Sequence, residues 1–214
     1  MVEKQLRMQQ YLTRLQEAWA QLDTAVVHQL IHLLHKTRME GRQLFLFGNG
    51  GSAMNASHLA CDLAKNTANG RAPLFRVISL ADSIALMTAY ANDESYERIF
   101  AGQLSYLVQA GDVVIGFSSS GNSANVLRAI KLAKERGATT VGMSGFDGGA
   151  LARMVDLSIH VPTQAIAPAE EVHLMLIHLI TDALWEMADT LNDYRGMTHS
   201  RLSLRGLLTR VLTG

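Results

Sequence analysis

The chain has one cysteine, Cys61, in 214 residues, so no disulfide can close within it. A reducing compartment is expected, and the cytoplasm fits. Neither sign of charge prevails: 19 Lys and Arg meet 19 Asp and Glu. Without a basic excess there is no general attraction to nucleic acid or to an anionic membrane, and the weak self-repulsion suits an oligomer. No membrane span is expected either. Val113–Leu127 carries no charged side chain, yet it is too short to cross a bilayer and is filled with Ser, Gly and Asn. The N-terminal segment MVEKQLRMQQ is polar and helical in character, without an apolar signal core. The chain is rich in core material. It is 48% hydrophobic and 18% charged, enough for one large folded domain.

The first forty residues read as a helical hairpin. Leu6, Tyr11, Leu12, Leu15, Ala18 and Trp19 recur at three- and four-residue spacing, and a second helix is expected over Thr24–Met39, ending near Gly41. From residue 43 the pattern changes to short apolar runs: Gln43–Phe47, Leu74–Leu80, Asp112–Phe117, Thr139–Met143 and Asp156–Val161. Unbroken apolar runs suit strands buried on both faces. The stretches between them read as helices over about 52–66, 83–91, 96–109, 123–136 and 150–154, so right-handed βαβ units and a parallel sheet are expected. A long helix starting between Pro168 and Val172 runs to about Thr190. The domain is taken as 1–192, with the hairpin as 1–41. Residues 193–214 form a basic tail with Arg195, Arg201, Arg205 and Arg210.

Two loops open helices directly after strands. Gly48-Asn49-Gly50-Gly51-Ser52-Ala53 can turn backbone N–H groups toward an anion at a helix N-terminus. It also fits the dinucleotide pattern G-x-G-x-x-A. The acidic residue expected about twenty positions on is absent, and Asp82 comes too late. A plain strand–helix turn would use the same glycines. Ser118-Ser119-Ser120-Gly121-Asn122-Ser123 places four hydroxyls at one helix N-terminus. One serine there would be an ordinary N-cap; four make a cradle for a phosphate monoester. No Walker lysine follows, so P-loop ATP hydrolysis is not expected.

Titratable side chains gather in two places. His58 and Asp62 are four residues apart on one helical face, within reach of a common metal or substrate. Glu170, Glu171, His173 and His178 cluster at the start of the long C-terminal helix. His28, His32 and His35 share another face, read as a solvated surface or subunit contact, and Cys61 reads as a packed thiol.

The strings F-G-N-G-G-S-A before a His-bearing helix, A-N-D-E, F-S-S-S-G-N-S-A-N-V and S-G-F-D-G-G resemble the sugar isomerase (SIS) domain. Within it the chain is most similar to the phosphoheptose isomerases, which convert sedoheptulose 7-phosphate to the aldose D-glycero-D-manno-heptose 7-phosphate. The resemblance spans about residues 1–192. It implies an α/β fold, a flavodoxin-like three-layer sandwich with a five-stranded parallel sheet. It also implies a homotetramer with active sites between subunits and a phosphosugar ligand. By position, Asn49, Gly50, Gly51, Ser118, Ser119, Ser120 and Ser123 would hold the phosphosugar, with Asn92 and Asp93 lining the same cleft. His58, Asp62, Glu170 and His178 would bind zinc or substrate. Three residues depart from the family pattern: Asp62 replaces a glutamate, Glu170 a glutamine, and Asn66 an arginine that helps balance the phosphate. Eight residues of unbroken helix rise about 12 Å. Glu170 and His178 therefore meet one metal only if the helix begins after Glu170; otherwise they serve sites in different subunits.

These residues suffice for ketose–aldose isomerisation through an enediol. Asp62 would be the base and His178 the acid/base partner. Zinc would act as Lewis acid and the serine loop as anchor. A rival implied by the same family is a non-catalytic phosphosugar-binding scaffold resembling the protein that associates with the DnaA replication initiator. Asp62, Glu170 and Asn66 are what a drifting site would show, whereas retained His58 and His178 argue for catalysis. A third alternative, resting on G-x-G-x-x-A, is a dinucleotide-dependent enzyme.

Overall fold

The computed structural model describes residues 2–68 and 70–196. Of the expected basic tail, residues 197–214 lie outside the described residues. Helix α1 (Val2–Ala20) and helix α2 (Thr24–Met39) form the expected hairpin. Asp23 starts α2 by accepting the N–H groups of Ala25 and Val26, so the break between the helices is an N-cap.

All five apolar runs are strands: β1 (Gln43–Phe47), β2 (Arg76–Ser79), β3 (Val113–Ser118), β4 (Thr139–Ser144) and β5 (Leu157–His160). Every pairing is parallel, in the order β2-β1-β3-β4-β5. Within β1 the side chains alternate between two buried faces. Leu44 and Leu46 join one core with α1, α2 and the long C-terminal helix, while Phe45 and Phe47 join the other with Phe100, Val126 and Ile130. The runs of β1, β3 and β4 are unbroken because both faces are covered, whereas the edge strand β2 exposes Arg76 and Ile78 and the edge strand β5 is only partly buried.

The crossing helices are α3 (Gly51–Cys61), α4 (Ile84–Asp93), α5 (Ala101–Leu107), α6 (Ala124–Glu135) and α7 (Gly149–Met154). Three boundaries differ from the sequence expectation. The helix over 52–66 is α only to Cys61 and continues as a π turn, Asp62–Asn66. The helix over 96–109 divides into a 3-10 turn, Tyr96–Arg98, and α5. The C-terminal helix α8 (Ile166–Gly196) starts earlier than expected, with Pro168 in its first turn, where a missing N–H breaks no helical bond. Among the described residues no helix is long and apolar enough to cross a membrane.

The strand order fixes where a ligand can sit. From β1 the chain crosses to β2 on one side and later to β3 on the other. The loops after β1 and β3 therefore diverge, and a crevice opens between them at the carboxyl ends of the strands. Those are the glycine loop and the serine loop.

Candidate functional site

The serine loop is organised around bonds that bypass capping. Ser123 is the N-cap residue of α6, yet its side chain makes no capping bond. Its Oγ lies 3.0 Å from Ser118 Oγ, which is also 3.5 Å from Ser120 Oγ. Ser119 Oγ is buried and has no partner. A buried hydroxyl without a partner is costly unless a ligand satisfies it. Gly121 turns the loop at φ +67°, and a Cβ there would run into the Gly148 carbonyl oxygen. The Gly148–Gly149 turn therefore packs directly against the serine loop and closes its floor. Asn122 ties the two by accepting the Ala150 N–H.

The glycine loop is clamped to the serine side through side chains. Asn49 Nδ2 donates to Asn125 Oδ1 at 2.9 Å, and Asn125 Nδ2 returns a bond to Asn49 Oδ1 at 2.8 Å. Tyr96 Oη donates to the same Asn49 oxygen at 3.1 Å. The Asn49 amide is thus held by Asn125 and Tyr96. Asn125 is buried at the start of α6 and Tyr96 is exposed at the rim. Neither was among the expected site residues, because only the folded sheet brings them beside Asn49. Asn92 and Asp93 are exposed at the end of α4 and bonded to each other, Nδ2 to Oδ1, at 2.7 Å.

Glu170 occupies a position that explains Gly51. A Cβ on Gly51 would run into the Glu170 carboxylate. The Ser52 N–H donates to that carboxylate, and Asn55 Nδ2 donates to the Glu170 carbonyl at 2.9 Å. Burial raises the Glu170 pKa, and the Ser52 hydrogen bond opposes that shift. The first turn of α3, expected to face a phosphate, already holds this carboxylate.

The second group lies further along the same two helices. His58, Asp62 and His178 bring one ligand atom each within 4.8 Å of one another. His178 Nε2 is 3.1 Å from His58 Nε2, which is 3.3 Å from Asp62 Oδ2. Bonds of about 2.05 Å at tetrahedral angles place neighbouring zinc ligands roughly 3.3 Å apart, and these two separations match that spacing, while the His178–Asp62 pair lies within 4.8 Å. Glu170 is not among them. Because α8 runs unbroken from Ile166, Glu170 and His178 are separated by about 12 Å of helical rise and cannot share one ion within this chain. The alternative of a helix beginning after Glu170 is excluded. A pocket of about 480 Å³ opens on the cluster, lined by Asp62, Asn66, His178, Thr181, Asp182 and Trp185.

Other titratable groups fall away from the site. His173 is fully buried, edge-on to Phe117 with ring centroids 6.1 Å apart, with Nε2 3.3 Å from the Ser144 carbonyl. Desolvation pushes its pKa down to about 4, so it is a neutral core residue. Cys61 is exposed, not packed as expected. His28 and His32 are exposed, and burial beside Arg38 lowers the His35 pKa. Among the described residues, these histidines belong to no metal-binding group.

Comparison with known proteins places the geometry. The SIS domain family matches over residues 8–145. A phosphoheptose isomerase of Trichlorobacter lovleyi is 37% identical over 178 residues, covering 83% of this chain and 90% of the relative. The fold superposes on a phosphoheptose isomerase from Francisella tularensis with TM-score 0.79 at 26% identity, covering 87% of this chain and all of the other. A phosphoheptose isomerase from Neisseria gonorrhoeae gives TM-score 0.76 at 31% identity, over 86% and 98% of the two chains.

Proposed function

Because the chain belongs to the SIS domain family, and within it to the phosphoheptose isomerases, we propose that it interconverts sedoheptulose 7-phosphate and D-glycero-D-manno-heptose 7-phosphate through an enediol. The observation that carries the chemistry is the convergence of His58, Asp62 and His178 beside an open pocket. The phosphate is held by Ser118, Ser119, Ser120 and Ser123 at the α6 N-terminus. Its binding energy orients the sugar from outside the reacting centre. Asp62 takes a proton from C1 while O2 gains one, giving the enediol. Asp62 then returns the proton to C2 as O1 loses its own and becomes the carbonyl. His178 gives the proton to O2 and takes the one from O1. Zinc would be held by His58, Asp62 and His178 and would supply Lewis acidity, and an Asp62 oxygen or His178 nitrogen that ligates it is not the atom that carries the proton. The comparisons do not favour the scaffold reading, since the relatives named above are phosphoheptose isomerases.

The active unit is proposed to be a cytoplasmic homotetramer. In support, α4 buries none of its residues, and Met175 and Leu179 flank His178 on an exposed face of α8. The seven helical steps from Gly51 to His58 rise about 10 Å, a separation between glycine loop and cluster that a neighbouring subunit is proposed to bridge. The test of function is exchange of the C1 or C2 proton of sedoheptulose 7-phosphate with deuterated water, followed by NMR. His178→Ala and Asp62→Asn are expected to slow exchange by about 10²–10⁴-fold while phosphosugar binding survives. Wild-type protein that exchanges neither proton refutes the isomerase reading.

A further inference from the structure

Asn66 stands where the family resemblance calls for an arginine that balances the phosphate, and in this chain the position serves another purpose. Its Nδ2 lies 2.8 Å from Asp62 Oδ1. A carboxylate only accepts, so the amide donates. The other oxygen, Oδ2, is the one 3.3 Å from His58 Nε2. The two carboxylate oxygens are therefore divided between tasks: one is anchored to its own helix and the other is presented to the cluster. The backbone contributes to this anchorage. The helix changes from α to π at Asp62, and the Thr67 N–H reaches back five residues to the Asp62 carbonyl at 3.2 Å. π turns are rare and often found at functional sites; this one ends the helix, with Asn66 as its last residue. Asp62 is only 7% exposed, whereas Asn66 is exposed on the pocket wall.

We infer that Asn66 is a positioning residue for the His58–Asp62–His178 centre: it holds the Asp62 carboxylate so that Oδ2 faces the two imidazoles. It thereby offsets the reach lost by carrying an aspartate where the family has a glutamate. This rests on reading the cluster as a metal and proton-transfer centre. An aspartate without such a partner spreads over several χ2 orientations, and a metal must select one of them. With the Asn66 bond in place that selection precedes binding. Outer-shell hydrogen bonds of this kind change metal affinity by about 10–100-fold.

The experiment is a calorimetric titration of metal-free protein with zinc alone, for wild type, Asn66→Ala and Asn66→Arg. Asn66→Ala is expected to weaken zinc binding by about 10–100-fold at unchanged stoichiometry. The urea midpoint is expected to stay put, because the side chain is exposed and buries no core. Asn66→Arg is expected to weaken zinc as well, without lowering KM for the phosphosugar. Equal zinc affinity in wild type and Asn66→Ala overturns the inference and leaves the cluster reading standing. A lower phosphosugar KM for Asn66→Arg at unchanged zinc affinity also overturns it, since the position would then only have lost a phosphate contact. Wild type that binds no zinc overturns the cluster reading and this inference with it.

Discussion

A phosphate held by the serine loop, as proposed, would meet charge of its own sign on Glu170. Its carboxylate rests on the Gly51–Ser52 turn, at the same edge of the sheet as the serine loop, and burial raises its pKa above the ordinary 4.5. Below the raised value the group is neutral; above it the folded protein carries a partly desolvated anion. Stability therefore falls as pH rises through that window, and phosphate binding weakens across it. Glu170→Gln is expected to tighten phosphosugar binding roughly three- to tenfold at mildly alkaline pH, as for a like charge removed from a partly screened cleft. The gain should vanish as pH falls below the Glu170 pKa. Affinities measured across that pH range check it, and a gain independent of pH would contradict the electrostatic cause. At this scale the residues whose type announces chemistry were legible, such as the serines and His58 with Asp62. Those whose role depends on a partner distant in the chain were hidden. Nothing near Asn125 or Tyr96 marks them as the pair that holds Asn49, because the sheet order alone brings α6 and the 3-10 turn beside the glycine loop.

The elements that build the cradle are held together by backbone contact. Gly121 has φ +67° and its Cβ position is taken by the Gly148 carbonyl, so neither partner can move aside without reopening the loop. Gly50 also has positive φ, +54°, but nothing lies within 4 Å of where its Cβ would be. The two glycines separate backbone strain from collision. Gly50→Ala is expected to cost about 1 kcal/mol, and Gly121→Ala on the order of 3 kcal/mol, with loss of phosphosugar binding only in the latter. Urea unfolding of both variants measures the difference, and equal costs would contradict the collision. The three central strands were legible because burial on both faces leaves unbroken apolar runs, and the edge strands β2 and β5 because they too are short apolar runs set between helical stretches. Helix boundaries were less so. The start of α8 was misplaced because Pro168 reads as a barrier, although a first helical turn accommodates it. The π turn after Cys61 left no pattern in the side chains at all.

The whole molecule exposes apolar surface in one consistent way. Ile84 is 74% exposed on a helix with no buried residue, and Leu6 and Leu12 are exposed on α1, along the stripe that signalled that helix. A neutral chain with such faces is expected to assemble. Light scattering of the wild type should give the mass of a tetramer, and Ile84→Arg a smaller species with an unchanged circular dichroism spectrum. A monomeric wild type at micromolar concentration would contradict the assembly. The stripe on α1 was visible in the sequence, but which half of it meets the core and which half stays outside depends on where α8 lies, and that is set by the sheet. The arrangement of that sheet also governs how the protein comes to be folded. The glycine loop, the serine loop and the start of α8 lie far apart along the chain and meet only when parallel strands have paired across long loops. Such non-local pairing is slow, and the cradle has no local precursor on which to form. A phosphosugar bound there touches the folded chain alone. At a hundred times its dissociation constant it should therefore add about 2.7 kcal/mol to the stability of the native state and slow its unfolding.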